Sequence, residues 1–331
     1  MKAPIAILSI LTVVGARNPA PTPFVFHHEN VMGTSFSLKV HAAEPAFAES
    51  AESAALAEID RLTKILSTYD PRSEVSRWAR TRGVAVPVSP ELFEVLAAWD
   101  TWRERTGGVL QAGIAGADAE AMQRPHWSLN AEARTATHLD DTPLRLNSFT
   151  KSWVLERAAR AASASAPVEG VVVDGGGDLI VRGGQQESVA VRNPFDDAEN
   201  AAPVAYLNVA DRAVATSGNY RRGAHIIDPR SGRPAEAGIA SSTVIAKDEV
   251  TAGALATAFS VLGAEESQKL AAKTPGVQYV MLASNGQRFT NIPGLQFAAA
   301  AQAGGPEVNL QFELARIADG RYRRPYVAVW V

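Results

Sequence analysis

The sequence predicts a fold in which helices and strands are mixed, and three stretches carry that reading. Residues 25–40 alternate apolar and polar as a hairpin does, interrupted by Met32-Gly33-Thr34. Leu56, Ile59, Leu62 and Leu66 recur at the spacing of one helix face. Residues 170–183 hold two β runs around Gly175-Gly176-Gly177, where the missing side chains let another group approach the backbone closely.

The other elements follow in chain order. A second helix starts at Ser89, with Pro90 at its first position, Leu92, Val95, Leu96, Trp99 and Trp102 on its buried stripe, and Gly107 beyond its end. The two tryptophans read as core. A third helix begins near Asn147 and carries Lys151 close to its N-terminal end, where a cation opposes the helix dipole. An anionic ligand at that end would offset the conflict; a solvated lysine is the plainer reading. Thr216-Ser217-Gly218 then turns toward a short apolar strand, His225-Ile226-Ile227, that ends in Asp228-Pro229-Arg230-Ser231-Gly232. Exposed N–H groups, the two hydroxyls and Arg221-Arg222 suit an anionic group, although an ordinary loop, strand and turn has the same composition. The strand 241–246 leads through Lys247-Asp248-Glu249 into a helix with Leu255, Ala258, Phe259 and Leu262 on one face, Thr257 along it and Gly263 after it. Residues 277–283 and 287–290 flank Ser284-Asn285-Gly286 as a hairpin. A linker over 298–306 precedes a β-hairpin over 307–331, whose last apolar strand either pairs back on the main body or continues in a longer protein.

A length of 331 residues suits one large domain or two intimate ones. A hydrophobic fraction of 46%, a charged fraction of 20% and a net charge of −3 describe a globular protein without an electrostatic footprint for nucleic acid. The absence of cysteine excludes disulfides, thiol catalysis and thiolate metal sites. Lys2 and the apolar run 5–14 read as a secretory signal peptide over 1–16, with a Pro-rich spacer over 17–23. The run is shorter than the roughly 20 apolar residues that cross a bilayer. With no cysteine for a lipid anchor, the expected location is the periplasm, with membrane contact only through a partner. The glycine turn at 175–177 lacks the spacing of a dinucleotide fingerprint and of a phosphate loop. No histidine pair has helical metal-binding spacing, and no Gly-x-Ser-x-Gly elbow is present.

Several motifs follow one another in a fixed order: Met32-Gly33-Thr34; Tyr69-Asp70-Pro71 with Ser73-Glu74; Thr106-Gly107-Gly108; Leu146-Asn147 to Lys151; Asp174-Gly175-Gly176-Gly177-Asp178; Ala215-Thr216-Ser217-Gly218; His225 to Gly232; and Ala254 to Gly263. On these the chain resembles the ApbE family of FAD:protein FMN transferases over residues 24–297, and its tail resembles the start of a small periplasmic domain fused behind that family. The resemblance implies an α+β fold of two interlocked subdomains with mixed sheets and an FAD cleft between them. It also implies a magnesium-assisted transfer of FMN from FAD to a Ser or Thr hydroxyl of an exported redox protein, with release of AMP.

Carried over by position, Met32 and Tyr69 pack on or near the flavin, Val109, Leu110 and Gln111 line its ring side, and Ile227 touches it from the strand end. Lys151 sits by the pyrophosphate, with Arg145, Thr216 and Ser217 also placed at the cofactor. Lys151, Thr257 and His225 are the expected catalytic group, although a structural role is the plainer reading of His225. The metal takes the Ser148 carbonyl, the Thr257 hydroxyl and a carboxylate one turn before Thr257. That carboxylate is missing, because Gly253 occupies its position. Gln111 and Arg145 stand where the family has acids, and Ser152 where it has glycine. These losses make the cleft more positive, favour holding phosphates and disfavour metal-dependent turnover, so a flavin-binding protein without transferase activity is the alternative. Asp248 and Glu249 are candidate substitutes for the lost acid, with surface charges at a helix start the plainer reading.

Overall fold

A computed structural model describes residues 23–113, 124–196, 198, 201–218 and 226–298. The signal peptide, most of the spacer, the tail from 299 and His225 therefore lie outside the described residues. The expected hairpin forms as β1 (Phe24–Val31) and β2 (Thr34–Ala42), with Met32 and Gly33 turning at positive φ. Strands β3 (Ala85–Pro87), β4 (Trp127–Asn130) and β5 (Thr135–His138) make a small three-stranded sheet. The main sheet has eight strands in the order β1-β2-β6-β7-β10-β13-β14-β15. It contains β6 (Val168–Gly175), β7 (Asp178–Gly183), β10 (Ala213–Gly218), β13 (Ile239–Ala246), β14 (Gln278–Ala283) and β15 (Arg288–Thr290). The pair β8 (Glu187–Val191) and β9 (Ala205–Val209) forms a separate ribbon, and β11 (Ile227–Asp228) pairs with β12 (Arg233–Pro234). The ladders between these strands are antiparallel.

Helices cover one face of the large sheet. Helix α1 (Pro45–Leu66) buries Ile59, Leu62 and Leu66, while Leu56 is only partly buried. Full burial of one such side chain contributes roughly 1.5–3 kcal/mol. Helix α2 (Glu74–Trp78) is a short turn capped by Ser73, which accepts from the Ser76 N–H. Helix α3 (Pro90–Arg105) starts as its sequence dictates, with the Ser89 hydroxyl accepting from the Leu92 N–H and Gly107 turning at positive φ beyond its end. Helices α4 (Asn147–Ser165), α5 (Glu249–Leu262) and α6 (Ala264–Ala272) complete this layer. Among the described residues no helix is long and apolar enough to cross a membrane.

The opposite face of the sheet is also covered. Val171, Val173, Ile180 and Val244 belong to the main core, whereas their neighbours Val172, Val181 and Ile245 join a second cluster with Val191, Leu207 and Val209 of the β8–β9 ribbon. Strands alternate their side chains between faces, so burial on both sides explains why Val171-Val172-Val173 and Leu179-Ile180-Val181 are unbroken apolar runs.

Candidate functional site

Four segments meet at one end of the large sheet. The turn from β6 to β7 runs through Gly176 and Gly177, both at positive φ, and a Cβ on Gly176 would overlap the Thr34 hydroxyl. The Met32-Gly33-Thr34 turn therefore lies against this glycine turn. Strand β10 pairs Val214 with Leu179 and runs on beyond the start of β7, which puts Thr216–Gly218 at the same sheet end. The N-terminal part of α4 closes over the turn, with Lys151 Nζ donating to the Gly175 carbonyl at 2.8 Å and pairing with Asp178 Oδ2 at 2.6 Å. The conflict between Lys151 and the α4 dipole is thus offset inside the protein by Asp178.

Helix α5 contributes the least expected feature. Asp248 is its N-cap, accepting from the Thr251 N–H at 2.8 Å and the Thr251 hydroxyl at 3.0 Å. Glu249 is the next residue and is 0% exposed, which corrects the surface reading for this position. Neither Glu249 carboxylate oxygen has a hydrogen-bond partner. Burial pushes its carboxyl well above the ordinary range; the nearby Asp178 and Glu156 add to the rise, while Lys151 and Arg182 oppose it. Asp178 is also pushed up by burial, against the pull of Lys151. Beside it Arg182 Nη2 donates to both oxygens of the buried Glu156, at 2.7 and 2.6 Å. Glu156, Asp178 and Glu249 bring three acids to a region where the lost family acids suggested a surplus of positive charge. The first two lie within recognised stretches of helix and strand, yet only their meeting in space marks them.

The α5 stripe links this cluster to the sheet end. Helix α5 starts beside Lys247, whose carbonyl accepts from Arg182, and Gly263 after its end lies near the Ala237 carbonyl. Glu249, Gly253 and Thr257 are spaced four residues apart, so they share one face. Gly253 is buried and Thr257 half-buried. Ser148 lies in the first turn of α4, three residues before Lys151, which places its backbone on the same side of that helix.

The remaining expected residues are distributed as follows. Met32 is half-buried against the main core, whereas Tyr69 is 82% exposed. Val109 and Leu110 are buried in the main core. Gln111 borders a small cavity with Trp99, Asp100, Arg103, His126 and Trp127, and both ends of its buried amide lack a partner. Arg145 is exposed, and its backbone N–H donates to the Ala112 carbonyl at 2.6 Å, which ties its segment to the Gln111 stretch. The Thr216 hydroxyl is 2.9 Å from that of Thr243, Ser217 pairs with Ser242 across the ladder, and Ile227 is half-buried in β11.

The Asp248 cap and the buried Glu249 are separable by experiment. Asp248→Ala is expected to lower stability by about 1 kcal/mol, the usual value of an N-cap, while leaving FAD affinity unchanged. Urea unfolding and flavin fluorescence titration check the two halves of that expectation.

The model of the ApbE family matches residues 32–281. The FAD:protein FMN transferase of Vibrio cholerae serotype O1 is 28% identical, with 81% of this chain and 89% of the relative covered. That of Klebsiella pneumoniae is 25% identical over 85% of this chain and 90% of the relative. A crystal structure of the ApbE protein from Thermotoga maritima superposes with a TM-score of 0.69 at 23% identity, covering 81% of this chain and 96% of that one. The apo form of the Pseudomonas stutzeri flavinyl transferase ApbE gives 0.68 at 23% identity, covering 81% and 94%. These two likenesses establish the α+β fold.

Proposed function

The chain belongs to the ApbE family, and from that membership we propose that it transfers FMN from FAD to a Ser or Thr hydroxyl of an exported redox protein. In this reaction the hydroxyl oxygen bonds to the phosphorus of the FMN half, the bridging P–O bond breaks, and AMP leaves with the bonding electrons. The hydroxyl proton passes to a base or to water. The observation that carries the proposal is the convergence of Lys151, the glycine turn and the Thr216–Gly218 strand end at one end of the sheet. A lysine ammonium beside exposed backbone groups suits a pyrophosphate. The N-terminal sequence supports a periplasmic location for the reaction.

Magnesium would be held here chiefly by the substrate phosphates, because Gly253 supplies no carboxylate. Among the described residues no three of His, Asp and Glu gather into an all-protein cage, and magnesium is typically held by one or two carboxylates together with substrate phosphates. The Thr257 hydroxyl and the Ser148 carbonyl are the groups that would hold it, with the pyrophosphate supplying the charge that Gly253 does not. When bound, the ion spreads the negative charge that develops on the transferring phosphoryl group. The protein's own share is to orient the pyrophosphate with Lys151 and to exclude water behind the buried α5 stripe.

The test is intact mass of an acceptor protein after incubation with FAD and magnesium. A gain of one FMN, lost with Thr257→Ala, is the expected result. Gly253 favours a second reading, a flavin-binding protein without turnover. Tight FAD binding with no mass gain, except in a Gly253→Asp variant, would establish that reading instead.

A further inference from the structure

We infer that one ordered water sits in the cavity beside Gln111 and fixes the Gln111 amide, so that its N–H groups donate to a carbonyl oxygen of the flavin ring. The inference rests on the transferase reading for the ring and on the structure for the water. The cavity lies between α3, the 110–112 stretch and the start of β4, and its volume of about 10 Å3 is on the scale of a single water. Four of the side chains bordering it carry buried polar atoms that the protein itself does not pair: Trp99 Nε1, Arg103 Nε, His126 Nε2 and both ends of the Gln111 amide. A buried polar group left unsatisfied is costly, and their shared cavity points to a shared partner.

The chemistry of these atoms selects that partner. Trp99 Nε1 and Arg103 Nε can only donate. His126 Nδ1 lies 3.1 Å from Asp140 Oδ2, and a carboxylate accepts, so Nδ1 carries the hydrogen and the neutral ring offers Nε2 as an acceptor. Gly113 keeps that nitrogen clear, since a Cβ there would come within 2.9 Å of it. The partner must therefore accept twice and also donate. Water does both, whereas a carbonyl oxygen or a halide cannot donate. Asp100 also borders the cavity, accepting from Trp127 Nε1 at 3.1 Å, and its charge opposes an anion there. The water accepts from Trp99 and Arg103 and gives one hydrogen to His126. Its other hydrogen goes to Gln111 Oε1, which leaves the Nε2 hydrogens for the ligand. An ionised acid at this position would offer the flavin only acceptors; Gln111 offers donors.

Two measurements test this. A crystal of the ligand-free protein, diffracting well enough to show ordered water, is expected to hold one peak about 3 Å from Gln111 Oε1 and from at least two of Trp99 Nε1, Arg103 Nε and His126 Nε2. No peak, or a peak that touches Gln111 alone, would overturn the inference. The amide is read by calorimetric titration of riboflavin, 2-thioriboflavin and 4-thioriboflavin, which carry the ring without the phosphates. A thiocarbonyl is a poor acceptor, so wild-type protein is expected to bind one thio analogue about tenfold more weakly than riboflavin, a change of about 1.4 kcal/mol. Gln111→Met is expected to bind all three alike. Trp99→Phe takes one donor from the water without altering Gln111, and is expected to narrow the discrimination; unchanged discrimination there would sink the water's part. A wild type that binds all three flavins alike would sink the amide assignment. No flavin binding by the wild type would sink the transferase reading and the amide assignment together, while the density peak decides the water separately.

Discussion

Arg182→Met is expected to lower the unfolding free energy by about 3 kcal/mol, in the range for breaking a buried ion pair by removing one partner. The guanidinium donates to both Glu156 oxygens and to the carbonyls of Val181 and Lys247. Glu156 is 5% exposed and lies close to the unpaired Glu249, so without Arg182 two buried carboxylates face each other. Arg160 also reaches Glu156, at 3.3 Å, but its side chain is 62% exposed and its share is small. Methionine retains the apolar stem, so the loss reports the charge rather than the packing. Urea denaturation checks the value. The companion Arg182→Met/Glu156→Met is expected to recover most of the loss, because replacing both members of a buried pair by apolar groups is often close to neutral. A double variant as unstable as the single one would show that packing, not pairing, is what Arg182 provides.

The second large effect is on the reaction. Lys151→Met is expected to slow FMN transfer by about a hundredfold or more, the usual consequence of removing one preorganised electrostatic group from an active site. Lys151 is the cation that the fold aims at the glycine turn, held there by Gly175 and Asp178. Its removal also strands Asp178, so stability and activity must be read apart. Lys151→Met/Asp178→Asn is expected to regain stability without regaining transfer. Single-turnover formation of the flavinylated acceptor decides the matter: a rate within a few fold of wild type would remove Lys151 from the reaction.

Much of the fold was legible because its elements carry strong local signals. Ser89-Pro90 marks the start of α3, the spaced leucines mark α1, and Ser284-Asn285-Gly286 turns between β14 and β15. The β8–β9 ribbon and the three-stranded sheet were not seen, because their strands are short and take meaning only from the surfaces they cover. The candidate site divides the same way. Lys151 was singled out by its conflict with the helix dipole, a local property. Glu249 was misread, because an acid in the first turn of a helix is ordinarily solvated, and its burial depends on Lys151, Asp178 and Arg182 arriving from α4 and β7. His225, read as part of the ligand-facing motif, lies outside the described residues.

The doubly covered sheet carries a further consequence for strand register. Where only one face of a strand is buried, a one-residue slip exposes the apolar side and is strongly disfavoured. In β6 and β7 both faces are apolar, so hydrophobic alternation cannot choose among alignments. The choice falls to the two-residue turn Gly176-Gly177, both at positive φ, and at the far end to Gly170 and Gly183, which pair across the ladder. A Cβ on Gly170 would come within 2.8 Å of the Arg182 carbonyl, and one on Gly183 would overlap the Glu169 carbonyl. A side chain at either position would push the two backbones apart. The pair acts as a second alignment key at the open end of the hairpin, in step with the turn that sets Asp178 beside Lys151.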